Sequence, residues 1–268
     1  MPLSRQASIV AAVLPPRLHF PFALSASRWH GRLVSMSGGN GPLTELLMRD
    51  LWLQELTSHG AFPILWRLHG RDVLDRYLPQ GPVLYFTIHL AMSEIPLRVV
   101  TEIQYPVPIP VADPGRLVEG ERYKVLGMNV FIPALAASSH SLARMRTLLL
   151  QGNSIACLAD RDHLSGSFSA NPLRLAGRLG VPVIFTWGEL APDGVIDVAF
   201  EPAPHPMCES EEAIEKNLRF LRELHGRILR SVGLDGPVAE SSSQSPVAER
   251  VRLSTAASSR VAEKPVAD

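Results

Sequence analysis

The sequence predicts an α/β domain with a largely parallel central sheet flanked by helices, preceded by N-terminal helices and followed by a disordered tail. From residue 83 to residue 232, apolar runs of strand length alternate with longer helical patterns, as in folds built on a parallel sheet. Hydrophobic residues form 46% of the 268-residue chain and charged residues 19%, which excludes a wholly disordered chain. The formal net charge of zero argues against a nucleic-acid-binding protein, which normally has a basic excess.

A basic and apolar segment opens the chain. Residues 1–44 contain four arginines and no acidic residue, whereas residues 45–235 carry more acidic than basic groups. The four arginines are Arg5, Arg17, Arg28 and Arg32. Phe, Leu and Trp side chains lie between them, the composition with which a segment binds an anionic membrane surface. A helix docked on the body with its arginines in water explains the pattern equally well.

Composition divides the chain into three parts. Residues 1–41 form the basic N-terminal segment, a candidate membrane-interface helix, and residues 42–235 form the α/β domain. Residues 236–268 contain seven serines, no aromatic residue and no periodic apolar positions, so we expect this tail to be disordered. No stretch of the chain approaches the about 20 consecutive apolar residues that a membrane span needs, so we expect contact with a membrane surface rather than a span.

The first elements of the α/β domain are predicted from apolar spacing. One stripe of leucines predicts a helix from residue 44 to about residue 60, and a second stripe predicts a helix over 62–77. Residues 83–88 are apolar, β-branched or aromatic without a break, which is typical of a strand buried on both faces. A helix is expected to begin near Ser93, because Pro96 then falls in its first turn, where proline is tolerated.

The alternation continues to residue 232. Apolar runs predict the strands, and apolar periodicity with terminal Ser and Gly signals predicts the helices. The predicted order is strand 107–111, helix 114–126, strand 128–132, helix 139–151, strand 154–159, helix 170–179, strands 181–187 and 195–200, and helix 211–232. Cys157 lies inside the apolar run 155–159, so we expect a buried thiol rather than a metal ligand or a disulfide partner.

The strongest candidate for chemistry is the pair His89 and Glu94. His89 directly follows the predicted strand 83–88, at the sheet edge where α/β proteins bind their ligands. Residues five apart on one helix differ by about 140° in direction, so the pair can meet only if His89 lies in a loop and Glu94 in the first turn of the next helix. Glu94 would then hold one ring nitrogen and leave the other as a general base. A histidine and a glutamate this close also occur together by chance.

The motif His89-x-x-x-x-Glu94 after a strand resembles the HX4D/E motif of the lysophospholipid acyltransferase superfamily. The chain is most similar to the lipid A biosynthesis acyltransferases of the lauroyl/myristoyl type. Two further passages carry this resemblance: residues 142–162, which read as helix, Gly, strand and an Asp-rich turn, and residues 174–184, a small-residue helix followed by an apolar strand. The resemblance spans residues 10–232. The segment 163–170 is shorter than in the family, and the Glu-Gly-Thr-Arg block of the glycerol-phosphate branch is absent.

This resemblance implies a glycerolipid acyltransferase-like fold and transfer of a fatty acyl group from a thioester. The donor would be acyl carrier protein or coenzyme A, and the acceptor a hydroxyl or amine of a lipid. His89 would be the general base, held by Glu94, with no metal and no cofactor beyond the acyl donor. The family likeness also implies a cytoplasmic enzyme, peripheral to the inner membrane.

Three further residues are substrate-binding candidates. Arg122 falls where family members carry a basic residue, although Glu119 and Glu121 beside it also suit a solvated helix face. Asp160 and Arg161 follow the predicted strand 154–159 and emerge at the same edge as His89 if the two strands are parallel. Capping of the loop and pairing with Arg161 are the structural alternative for Asp160.

Two other functions remain compatible with the sequence. The shortened segment 163–170 favours a non-catalytic domain of the same fold that binds a lipid or a carrier protein. An acyltransferase acting on a soluble specialised metabolite is the second alternative, and it would not need the membrane.

Overall fold

The computed structural model describes most of the first 231 residues. The ranges described are 2–58, 64–89, 92–103, 107–111, 117–118, 122–125, 130–136, 140–160, 167–191, 193, 195–205 and 210–231. They form an α/β fold in which helices flank a mixed five-stranded sheet and a smaller sheet continues from it. The tail 236–268, predicted to be disordered, lies outside the described residues.

The larger sheet has the strand order β1-β9-β8-β2-β7. Its central strand β2 (Leu84–Thr87) is parallel to both neighbours, β7 (Ile155–Leu158) and β8 (Val183–Leu190). Strand β9 (Ile196–Pro202) runs antiparallel to β8 and parallel to β1 (Trp66–His69). The prediction of a largely parallel sheet is therefore wrong. The connection from β8 to β9 is too short for the crossover that a parallel neighbour requires, so the two strands form a hairpin.

The smaller sheet has the order β3-β6-β5-β4. Strand β3 (Ile109–Val111) is parallel to β6 (Phe131–Ala136), and β5 (Arg122–Lys124) is antiparallel both to β6 and to β4 (Leu117–Val118). The helix predicted over 114–126 is wrong. Along β5 and the residue after it, the buried Tyr123 and Val125 alternate with Arg122 and Lys124, and Tyr123 packs with Ile132 of β6 in a small core of its own.

The helix predicted over 62–77 is also wrong in its first part. The structure has β1 there, followed by α4 (Arg71–Tyr77). Trp66 and Leu68 are half-buried while Arg67 and His69 are exposed, the alternation of an edge strand that also satisfies a helical spacing over so few residues. Between the two elements Gly70 has φ 81° and lies against the carbonyl of Phe200, where no side chain would fit.

The other predicted elements are present with small shifts at their ends. The helices are α3 (Gly41–Ser58), α5 (Glu94–Ile103), α6 (Ser141–Leu150), α7 (Asn171–Leu179) and α8 (Glu211–Ser231). All residues of β2 are buried, as expected of a strand covered on both faces. The Cys157 thiol is buried as predicted, and burial raises its pKa.

Two core clusters cover the two faces of the larger sheet. On the face named here the α8 face, Phe86 and Phe185 pack with α8, and Phe185 stacks on Phe220 at 5.4 Å between ring centroids. On the opposite α5 face, Tyr85 and Ile184 pack with α5. Helix α3 contributes to both clusters, Leu43 and Leu46 to the first and Trp52, Leu53 and Leu56 to the second. It therefore passes from one face of the sheet to the other.

The N-terminal segment consists of two helices that pack on α3. They are α1 (Leu3–Val13) and α2 (His19–Met36), joined by a single 3-10 turn. Phe20 and Ala23 are buried in the cluster of the α5 face, and Arg28 lies 3.6 Å from Glu45 of α3. All four arginines of the segment are exposed. Among the described residues, none of the helices is long and apolar enough to cross a membrane.

Candidate active site

His89 binds a buried carboxylate at the carboxyl end of the central strand. Its ring Nδ1 lies 2.9 Å from Oδ1 of Asp160. Its backbone N–H also donates to both oxygens of that carboxylate, at 3.0 and 3.1 Å. The Asp160 side chain is fully buried, whereas 24% of the His89 side chain is exposed. The pair thus has a buried anion behind an imidazole that a ligand can reach.

Strand register brings these two residues together. In the parallel pair β2 and β7, Thr87 is the partner of Leu158, and His89 and Asp160 each come two residues later. Because side chains alternate between faces, both point to the α5 face. The N–H of Ala159 donates to the carbonyl of Thr87 at 2.6 Å, and the N–H of Ser169 donates to the carbonyl of Ala159 at 2.8 Å. The backbone that leads into Asp160 is therefore held by two hydrogen bonds at Ala159.

The contact with Asp160 favours one tautomer of the ring. An ionised carboxylate only accepts hydrogen bonds, so a neutral imidazole beside it donates from Nδ1 and has its lone pair on Nε2. The backbone N–H of His89 orients the carboxylate at the same time. In this arrangement Nε2 can take a proton from a substrate, and Asp160 stabilises the imidazolium that forms.

Glu94 lies where the sequence predicted it, in the first turn of α5. The carboxylate on Nδ1 is nevertheless Asp160, whereas the sequence analysis expected Glu94 in that position. Between His89 and Glu94 the chain turns at Met92, a buried residue with φ 46°, and the N–H of Ile95 donates to its carbonyl. Left-handed backbone at a non-glycine residue is strained and is concentrated at functional sites.

The structure does not place Arg122 on a helix. It lies on β5 of the smaller sheet, exposed, with its guanidinium 5.3 Å from the ring centroid of Phe131. Arg161 and the neighbouring Asp162 are outside the described residues. Of the predicted site residues, the structure thus joins His89 and Asp160 directly.

Sequence reasoning misses the role of Asp160 as the partner of Nδ1. The sequence makes Asp160 a substrate-binding candidate, because it follows a strand that would emerge at the same edge as His89 if the two strands are parallel. It does not give the register between these strands, and His89 and Asp160 meet only because β2 and β7 end at the same level of the sheet. The signal available in the sequence is two apolar runs of similar length, each followed by a polar residue.

A histidine that contacts a buried aspartate at a strand end of an α/β fold is an arrangement suited to general-base chemistry. Within the ranges described, no group of three or more His, Cys, Asp or Glu side chains could hold a metal ion. Comparison of the chain with models of protein families and with curated proteins finds no match.

Proposed function

We propose that the protein is an acyltransferase that moves a fatty acyl group from a thioester to a hydroxyl or amine of a lipid-type acceptor. The donor is an acyl group on acyl carrier protein or coenzyme A. The observation that carries the proposal is the hydrogen bond from Nδ1 of His89 to the buried Asp160, on the histidine that opens the His-x4-Glu motif. The likeness to lipid A biosynthesis acyltransferases selects acyl transfer among the reactions that begin with removal of a proton.

The reaction requires one proton shuttle. Nε2 of His89 takes the proton of the acceptor hydroxyl while its oxygen attacks the thioester carbonyl carbon, so that a C–O bond forms. The C–S bond breaks as the tetrahedral intermediate collapses, and the imidazolium returns the proton to the leaving thiolate. Asp160 stabilises the imidazolium between these two steps. The products are an ester and a free thiol.

Glu94 is the second acidic residue of the proposed site, beside Asp160. Helix α5, which it opens, packs on the same face of the sheet as His89 and Asp160, through Ile95 and Val99. A carboxylate in the first turn is also stabilised by the positive end of the helix. We assign Glu94 to positioning the acceptor or the imidazole from this side.

Arg122 and Arg161 are the proposed contacts for a phosphate of the donor. Arg122 carries an exposed guanidinium in the smaller sheet, and β3 of that sheet is joined to β7 by a hydrogen bond from the N–H of Ala156 to the carbonyl of Pro108. Arg122→Ala is expected to raise KM for acyl-CoA several-fold and to leave kcat unchanged. An unchanged KM would remove Arg122 from the donor site.

The N-terminal helices are the proposed membrane contact. On α2, Trp29, Leu33 and Met36 are 59%, 42% and 84% exposed, one or two turns apart. Arg32 lies among them and is exposed as well. Exposed apolar side chains next to cations are the combination that binds an anionic bilayer surface.

Flotation with vesicles of phosphatidylglycerol and phosphatidylethanolamine tests this contact. The variant W29S/L33S is expected to lose most of the vesicle-bound fraction, because its two changes remove exposed apolar area and not core. Leu150→Ser is the matched control, since Leu150 on α6 is also 59% exposed but lies outside the N-terminal segment. Equal flotation of all three proteins, or no flotation of the wild type, would favour a soluble acceptor.

Transfer itself is tested with the purified full-length chain. It is incubated with lauroyl-CoA or lauroyl-acyl carrier protein and a bacterial lipid extract, and the products are identified by mass spectrometry. An acylated product that depends on His89 supports the proposal. Stabilisation by the donor without any acylated product would favour the non-catalytic binding domain.

A further inference from the structure

Two buried threonine hydroxyls lie on neighbouring strands of the larger sheet, one of them two residues before His89. Thr87 is the last residue of β2, and Thr186 lies on the neighbouring strand β8. They are 8% and 4% exposed, and within the described part of the chain neither Oγ1 has a hydrogen-bond partner. Buried hydroxyls in folded proteins are almost always bonded, so two adjacent exceptions need an explanation.

Register and alternation place both hydroxyls on the face that carries the active-site pair. Phe86 of β2 is the parallel partner of Phe185 on β8, and the two threonines follow these residues. Tyr85 and Ile184, two positions before the threonines, belong to the core of the α5 face. Thr87 and Thr186 therefore point to the α5 face, as His89 does.

The imidazole lies two residues beyond Thr87, at the end of β2. Asp160 binds Nδ1 from the side of β7, and β8 lies on the other side of β2. The two nitrogens of an imidazole point in widely different directions, so a group at Nε2 lies on another side of the ring than Asp160. If that side is the one of β2 and β8, the reacting group is above the two hydroxyls.

Packing alone does not explain threonine at these positions. The preceding residues of both strands, residues 84–86 and 183–185, are apolar or aromatic and buried. Valine has the shape of threonine without the hydroxyl, and an unbonded hydroxyl in such a place is destabilising. A polar ligand atom that accepts from both hydroxyls would satisfy them.

We propose that Thr87 and Thr186 donate hydrogen bonds to the carbonyl oxygen of the acyl thioester and stabilise the negative charge that this oxygen acquires during transfer. The inference rests on the proposed acyl transfer, which needs such donors at the carbonyl oxygen. Removal of one donor of this kind usually lowers kcat about 100-fold or more.

The variants Thr87→Val and Thr186→Val test the inference. Each is expected to lower kcat/KM about 100-fold or more with lauroyl-CoA, and Thr87→Ser and Thr186→Ser are expected to restore most of it. The melting temperature of the valine variants should be equal to or above that of the wild type, because an unbonded buried hydroxyl is replaced by a methyl group. Thr101→Val is the control, since the buried Thr101 hydroxyl donates to the carbonyl of Leu97 within α5.

A binding experiment tests this inference separately from the proposed function. In the His89→Ala background, S-lauroyl-pantetheine is compared with S-dodecyl-pantetheine, which has the same chain but no carbonyl oxygen. Tighter binding of the thioester that is lost in both valine variants supports the carbonyl contact, even if the wild type transfers nothing. A wild type that transfers while both valine variants remain within two-fold overturns the inference and leaves the proposed function intact. Equal binding of the two compounds, or binding of neither, also overturns it.

Discussion

Two histidine–aspartate pairs in this protein have the same interatomic distance and different surroundings. His89 Nδ1 lies 2.9 Å from Asp160 Oδ1, and His69 Nε2 lies 2.9 Å from Asp197 Oδ1. The Asp160 side chain is fully buried, whereas the side chains of Asp197 and His69 are 31% and 58% exposed. The distance therefore does not distinguish a candidate active site from a surface ion pair.

The two pairs differ in the hydrogen-bond partners of their carboxylates. Asp197 binds Arg67 at 2.8 and 3.1 Å, and Arg67 also binds Asp193 at 2.7 Å. The hydrogen bonds from Arg67 and then from His69 hold the pKa of Asp197 well below its usual range. Asp160 instead accepts from the backbone and the ring of His89. Among the described residues, Asp160 has no ion pair with a lysine or arginine, whereas the charge of Asp197 is matched by Arg67.

The largest difference between the two pairs is expected from removal of each histidine. His89→Ala should lower kcat for acyl transfer by about three orders of magnitude, because general-base catalysis contributes about 10²–10⁴. His69→Ala should leave kcat within two-fold of the wild type. Rates from single-turnover mass spectrometry, with circular dichroism to verify folding, measure both. Equal activity of the two variants would contradict the assignment of His89.

Asparagine in place of each aspartate is expected to have the second-largest effect. Asp160→Asn should lower kcat about 100-fold or more, because the carboxamide no longer stabilises the imidazolium and can hold the ring in the wrong tautomer. It should also lower the free energy of unfolding by about 1–3 kcal/mol, since buried hydrogen bonds to His89 are disturbed. Asp197→Asn serves as the matched exposed control, with activity expected to be unchanged. Urea unfolding and initial rates measure the two quantities.

Glu94→Gln distinguishes the two acids of the proposed site. Because Asp160 occupies Nδ1, the loss of kcat is expected to be about 10-fold, smaller than that of Asp160→Asn. The ratio of the two losses is the informative quantity, and both variants are assayed with the same donor. A larger loss of kcat for Glu94→Gln than for Asp160→Asn would mean that Glu94 orients the His89 imidazole.

The smallest expected effect is the acid sensitivity of the exposed pair. The folded-state pKa of Asp197 is depressed below its ordinary value of 3.8, so its stabilising contribution is complete above that value and is lost as the pH falls through the folded-state pKa. The difference in unfolding free energy between wild type and Asp197→Asn should therefore shrink as the pH falls below about 4. A difference that grows as the pH falls below about 4 would contradict this linkage.

Much of the fold could be predicted because apolar runs and periodicity are local. The strands β2 and β7 and the helices α6 and α8 have their own signals in the chain. The errors lie in short stretches whose apolar residues fit both the spacing of a helix and the alternation of a strand. Examples are Trp66–His69 and the smaller sheet. Strand direction in the β8–β9 hairpin also depended on loop length, which the alternation of elements does not reveal.

The candidate site could be predicted only in part for a similar reason. A histidine after a buried strand is visible in the chain, and so is an aspartate after another strand. Their hydrogen bond depends on the register between β2 and β7, residues that are about 70 positions apart in the sequence. The two threonine hydroxyls are harder still to find, because threonine is common in strands for its β-branched shape.

The charged network of β1 has a consequence for self-association. Strand β1 lies at the end of the larger sheet as described, and such strands expose backbone groups on which another chain can add. Arg67 and His69 alternate along it and are tied to Asp197 and Asp193. A second chain that paired with this edge would have to accommodate these ion pairs or break them. Charged side chains on an edge strand disfavour such pairing, so the ion pairs that resemble an active site in distance alone also oppose fibril-like addition at this edge of the described sheet.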